Sequence, residues 1–158
     1  MAVTPPLTVT AATAADTQAI AERLGRLLAA GDVLALTGPL GAGKTTFVQG
    51  LARGVGVPSD RHVASPTFAL VNEHPGRVAL VHADLYRLNS ARELAELGLD
   101  EAFDRAAAVI EWADRFPDAL PADHLLITLA MQAADGPRTL HLQAHGPASR
   151  RLIAALTP

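Results

Sequence analysis

The stretch "TGPLGAGKTT", residues 37–46, decides how the rest of the chain is read. Gly38, Gly43, Lys44 and Thr45 match G-x-x-x-x-G-K-[ST] at every fixed position. In such a loop the glycines Gly38, Gly41 and Gly43, with Ala42 between the last two, let the backbone wrap around phosphates with its N–H groups turned inward. Lys44 then reaches the β and γ phosphates and the Thr45 hydroxyl offers a magnesium ligand, with Thr46 opening the following helix. A plain glycine-rich turn is the competing reading, and the flanking sequence speaks against it. Ahead of the loop, Val33, Leu34, Ala35 and Leu36 read as a short buried strand; behind it, "KTTFVQGLARGVG" reads as a helix closing on Gly54 and Gly56. Strand, loop and helix is the order a phosphate loop requires. Composition points to the same residue: of the 13 Lys plus Arg, Lys44 is the only lysine.

Working outward, "DTQAIAERLGRLLAA" (16–30) spaces Ile20, Leu24, Leu27 and Leu28 as an amphipathic helix. Segments 68–73 and 77–83 flank "HPG" as a hairpin, "SARELAELGLDEAF" is helical, and "AAAVIEW" is another buried strand. "HLLITLAM" and "RTLHLQA" form a second hairpin around "QAADGP", and "ASRRLIAAL" is a terminal helix. At 158 residues this is one domain with frayed ends at about residues 1–6 and 157–158. The expected fold is α/β: a small single-domain P-loop NTPase with a central mixed sheet, flanking helices and β-hairpins.

The absence of cysteine excludes disulfides, thiolate metal sites and thiol nucleophiles. A net charge of −3 argues against a chain that holds nucleic acid by phosphate neutralisation alone, so RNA would be held by a partner. No apolar run spans a bilayer, and the N-terminus, broken by Pro5 and Pro6, lacks a basic n-region; a cytoplasmic protein without membrane contact is expected.

A phosphate loop needs a carboxylate to position its metal, commonly at the end of a neighbouring strand. Asp84, after Val78 to Val81, and Glu111, after Ala107 to Ile110, both fit, and the residues alone do not choose between them. Trp112 stacks near a nucleotide or caps the core. Ser65 and Thr67 stand beside a proline where a γ-phosphate sensor often lies, although a plain turn is the commoner reading. His82 reads as a structural histidine beside the site. His141 and His145 sit on a strand without a further ligand and do not read as a zinc site.

The order "GPLGAGKTTF", "SPTF", "HADLYRL", "ELGLDE", "VIEWADR" resembles the TsaE family of ATPases, which serve bacterial tRNA threonylcarbamoyladenosine biosynthesis; the likeness runs from about Asp16 to Arg138. The resemblance implies ATP and Mg²⁺ as cofactors, a nucleotide loop over residues 38–46, a magnesium-binding hydroxyl at Thr45 and a metal-linked carboxylate at Glu111. It further implies a motif aspartate at Asp84 beside Tyr86 and Arg87, a switch-like segment over residues 65–68, and nucleotide closure by Thr13 and Arg138. Lys44, Asp84 and Glu111 are thereby the expected catalytic residues. The implied partners are TsaD and TsaB, with tRNA reached through them. One departure is Pro39, where family members often carry Asp, and a proline has no amide to offer a phosphate. A small-molecule kinase is the rival enzyme, weakened by the little chain left for an acceptor lid after Glu111. A nucleotide-gated binding module without turnover is the rival of another class.

Overall fold

The computed structural model describes residues 5–64 and 70–157. Seven strands form one sheet in the order β1-β7-β6-β2-β5-β4-β3. They are β1 (Leu7–Ala11), β2 (Val33–Thr37), β3 (Val71–His74), β4 (Leu80–Asp84), β5 (Ala107–Glu111), β6 (Leu125–Met131) and β7 (Arg138–Ala144). The four central strands β6, β2, β5 and β4 run parallel, and both edges are antiparallel. The mixed α/β sheet expected from the sequence is the observed one.

The core divides across the sheet as the period-2 pattern dictates. Leu34, Leu36, Ala107 and Val109 face α1 (Ala14–Leu27), α2 (Lys44–Val55) and α5 (Pro147–Leu156). Val33, Ala35, Ala108 and Ile110 face the opposite layer, which holds α3 (Ala91–Glu96) and α4 (Leu99–Phe103). Helices α1 and α2 pack tightly because small residues meet: a Cβ at Gly54 would lie 2.2 Å from the Glu22 carbonyl oxygen, and one at Gly25 2.3 Å from that of Leu51. α1 begins on a capping box, the Thr13 hydroxyl accepting from Asp16 N at 3.2 Å and the Asp16 carboxylate accepting from Thr13 N at 3.1 Å.

Three local readings change. The helix expected over 90–103 breaks in two at Gly98, whose φ is +69°. Residues 7–11, to which the sequence reading assigns no element, form strand β1: Leu7 and Val9 turn inward, Thr8 and Thr10 outward, and the strand pairs with β7 at the sheet edge. In the first hairpin β3 starts at Val71 and not at residue 68: Leu70 is a bend with a φ of +63°, and residues 68 and 69 lie outside the described residues. Among the described residues no helix is long and apolar enough to cross a membrane.

Candidate nucleotide site

The parallel strands β2, β5 and β4 end side by side, with Leu36 opposite Glu111 and Glu111 opposite Asp84. The glycine loop leaves β2 at this edge, where ligands of open α/β sheets gather. The loop lies close against β6, since a Cβ at Gly38 would sit 2.6 Å from the Leu129 carbonyl oxygen. Gly43 turns left-handed to start α2, which points its N-terminus into the cleft.

A cleft of about 370 Å³ is lined by Leu40, Gly41, Gly43, Lys44, Thr45, Thr46, Asp84, Tyr86, Glu111 and Trp112. Lys44 is buried at 5 % exposure, and its Nζ donates to the carbonyls of Gly38 at 2.7 Å and Pro39 at 2.9 Å. Burial lowers its pKa, opposed by Glu111, Asp84 and Asp114 in that order. Its ammonium lies 4.3 Å from the Trp112 ring centre, and Trp112 also tilts against Tyr86 at 4.9 Å. Trp112 thus both lines the cleft and packs on the core. Its φ of +57° turns the chain sharply after Glu111.

Asp84 accepts from the Tyr86 backbone N–H at 2.9 Å, while burial raises its pKa against that bond. Nearby Glu111 raises it further, and His82 and Lys44 oppose. Glu111 is 2 % exposed and meets His82 Nε2 at 2.5 Å. The donor set fits a hydrated magnesium and a polyphosphate: hard carboxylate and hydroxyl oxygens converge beside a desolvated ammonium that bonds to loop carbonyls.

A second cleft, of about 260 Å³, shares Gly41, Gly43 and Thr46 with the first and adds Thr13, Thr17, Asp135 and Arg138. Thr13 and Arg138, which the resemblance implies for nucleotide closure, therefore adjoin the loop. Arg138 spends its donors on the backbone: Nε on Ala42 O, and the two terminal nitrogens on the carbonyls of Ala133, Gly136, Gly41 and Ala134. It ties the β6–β7 turn to the glycine loop, so its planar face is what it can offer a base. Thr17 and the turn at 134–136 escaped the sequence reading, because nothing local distinguishes them; only the packing of α1 and β7 against the loop brings them in.

Ala42 is buried and its N–H closes a turn onto Pro39 O at 3.1 Å, while Pro39 is exposed. The missing proline amide thus lies at the outer rim. Arg115 donates to the Tyr86 carbonyl, bracing the turn beyond Asp84. The segment 65–68 lies outside the described residues. His141 meets the Thr8 hydroxyl at 3.1 Å, and His145 stacks on His124 with ring centres 4.4 Å apart, both away from the glycine loop.

The family model "Threonylcarbamoyl adenosine biosynthesis protein TsaE" matches residues 11–140. The tRNA threonylcarbamoyladenosine biosynthesis protein TsaE of Treponema pallidum is 41% identical over 128 residues, covering 80% of this chain and 93% of that one. Its counterpart in Bacillus subtilis is 41% identical over 133 residues, covering 83% and 81%. The crystal structure of Bacillus subtilis YdiB superposes with a TM-score of 0.83 at 33% identity, covering 99% of this chain and 96% of that one.

Proposed function

This chain belongs to the TsaE family, and from that premise we propose that it is a magnesium-dependent ATPase serving threonylcarbamoyladenosine modification of tRNA. Its turnover resets the transferase complex of TsaD and TsaB, which carries the tRNA; the net charge of −3 suits a protein that leaves the nucleic acid to its partners. The whole chain acts as one ATPase domain in the cytoplasm.

The observation that carries this reading is the buried Lys44, bonded to Gly38 O and Pro39 O in one cleft with Thr45, Asp84 and Glu111. The residues supply the parts of a phosphoryl-transfer site. Lys44 leaves its loop carbonyls for the β and γ phosphates and offsets the charge that grows there. The amides from Gly41 to Thr46 cradle the phosphates, and Thr45 with Glu111 and Asp84 would hold magnesium and its waters. Magnesium, when bound, neutralises charge across the β and γ oxygens. Asp84, whose pKa burial pushes up, or Glu111 orients the attacking water. Trp112 walls the cleft, and the Arg138 face with Thr13 borders the base.

ATP turnover measured with and without TsaB and TsaD of the same organism tests the reading. A rise that needs the partners and disappears in Glu111→Ala supports it. Turnover indifferent to the partners points to a small-molecule kinase, and tight binding without turnover to a nucleotide-gated module.

A further inference from the structure

Behind Glu111 lies a row of buried polar side chains that the proposed chemistry does not use. In the β3–β4 pair His74 stands opposite Leu80 and Asn72 opposite His82, so the two histidines are diagonal neighbours on one face of the sheet. Both are buried, His82 at 0% and His74 at 3% exposure. The face is the one that carries Leu80, Val109 and the glycine-loop helix.

Each ring has one side-chain partner among the described residues, and that partner fixes the state of the nitrogen it meets. Arg61 Nε donates to His74 Nδ1 at 3.1 Å. A guanidinium has no acceptor, so His74 Nδ1 is bare and the ring hydrogen is on Nε2. At the other end a carboxylate only accepts, so His82 Nε2 carries the hydrogen toward Glu111. The two remaining nitrogens, His74 Nε2 and His82 Nδ1, are the buried side-chain atoms without a partner among the described residues. The first is a donor, and a water that accepts from it can also pair with the second, whether or not that nitrogen carries a hydrogen. The rings also sense each other: His74 is held below the ordinary imidazole value by burial first, then by Arg61 and by His82. Buried polar groups that lack a protein partner are commonly joined by an ordered water with partners on both sides.

We propose that Arg61, His74 and His82 form a hydrogen-bond chain, closed between the imidazoles by a shared water, that ends on Glu111 and sets its carboxylate in the phosphate cleft. Its outer end, Arg61, lies in the connection between α2 and β3, anchored on the Glu73 carbonyl at 2.8 Å. His74 and His82 are positioning residues, and their assignment rests on the place given to Glu111 in the proposed ATPase.

The test is long-range ¹H–¹⁵N spectroscopy of the full chain labelled in histidine, with ATP turnover measured in parallel. His74 is expected as the Nε2–H tautomer, and His82 with a hydrogen on Nε2. Arg61→Ala should shift the ring signals of His82 as well as His74 and lower kcat by roughly three- to tenfold with KM nearly unchanged. Arg61→Lys, which keeps a donor, should restore part of both. An Nδ1–H tautomer on either ring, or an Arg61→Ala protein in which His74 alone responds, overturns the chain. The spectra need no nucleotide, so an inactive unsubstituted protein with the expected spectra would sink the ATPase reading and leave the chain standing.

Discussion

Lys44 carries a charge that its surroundings penalise, because burial lowers its pKa more than three carboxylates raise it. A site that holds a desolvated ammonium in this way is suited to an incoming polyanion, and Lys44→Ala is expected to lower kcat/KM for ATP at least about a hundredfold, read by steady-state turnover. Asp84 shows the same tension in stability. Its pKa is raised in the fold, so its contribution is fully present below the ordinary aspartate value of 3.8 and is lost as pH rises through the raised value. Asp84→Asn is therefore expected to raise Tm at neutral pH, to lose that advantage below about pH 3.8, and to lose turnover; an unchanged difference in Tm across the titration would argue against burial as the cause. Arg138 is a residue-scale clamp. Arg138→Ala removes five backbone contacts and should raise the Kd for nucleotide by about tenfold in calorimetry, with a smaller effect on kcat.

At the scale of elements, α1 and α2 are joined through glycine rather than through interlocking large side chains. Alanine is favoured over glycine inside a helix by about 1 kcal/mol. At Gly54 the packing reverses the sign, since the new Cβ would fall 2.2 Å from a backbone oxygen that cannot swing away. Gly54→Ala is expected to destabilise by about 2–4 kcal/mol in denaturant unfolding, and a neutral or stabilising result would mean that the helices separate easily. Gly54 and Gly56 together read in sequence as the helix end, and only Gly56 serves as one. Gly50 and Gly54 are contact points with α1. Their meaning lies on the other helix, which a local pattern does not contain.

Across the whole molecule the nucleotide cleft depends on both ends of the sheet. β1 covers the outer edge of β7, and Thr13 follows directly on the same segment. Deleting residues 1–11 should lower Tm, increase light scattering through the uncovered edge of β7, and weaken nucleotide binding, because the Thr13 lip loses its anchor. Retained affinity in the truncated protein would show that α1 holds this lip alone. β1 was legible in principle from the alternation of Leu7, Thr8, Val9 and Thr10. The prolines ahead of it mask the signal, and an edge strand of five residues carries little more.

Glycine spacing, period-2 burial and a charge after an apolar run are local chemistry, and they are enough to specify the phosphate loop, the elements that flank it, and Asp84 and Glu111 as strand-end carboxylates. Long-range packing is what brings these two carboxylates opposite each other, commits Arg138 to backbone carbonyls, and lines His74 and His82 up behind Glu111. Strand order and register are set by pairing between segments distant in the chain, and no local pattern encodes which side chains that pairing brings together.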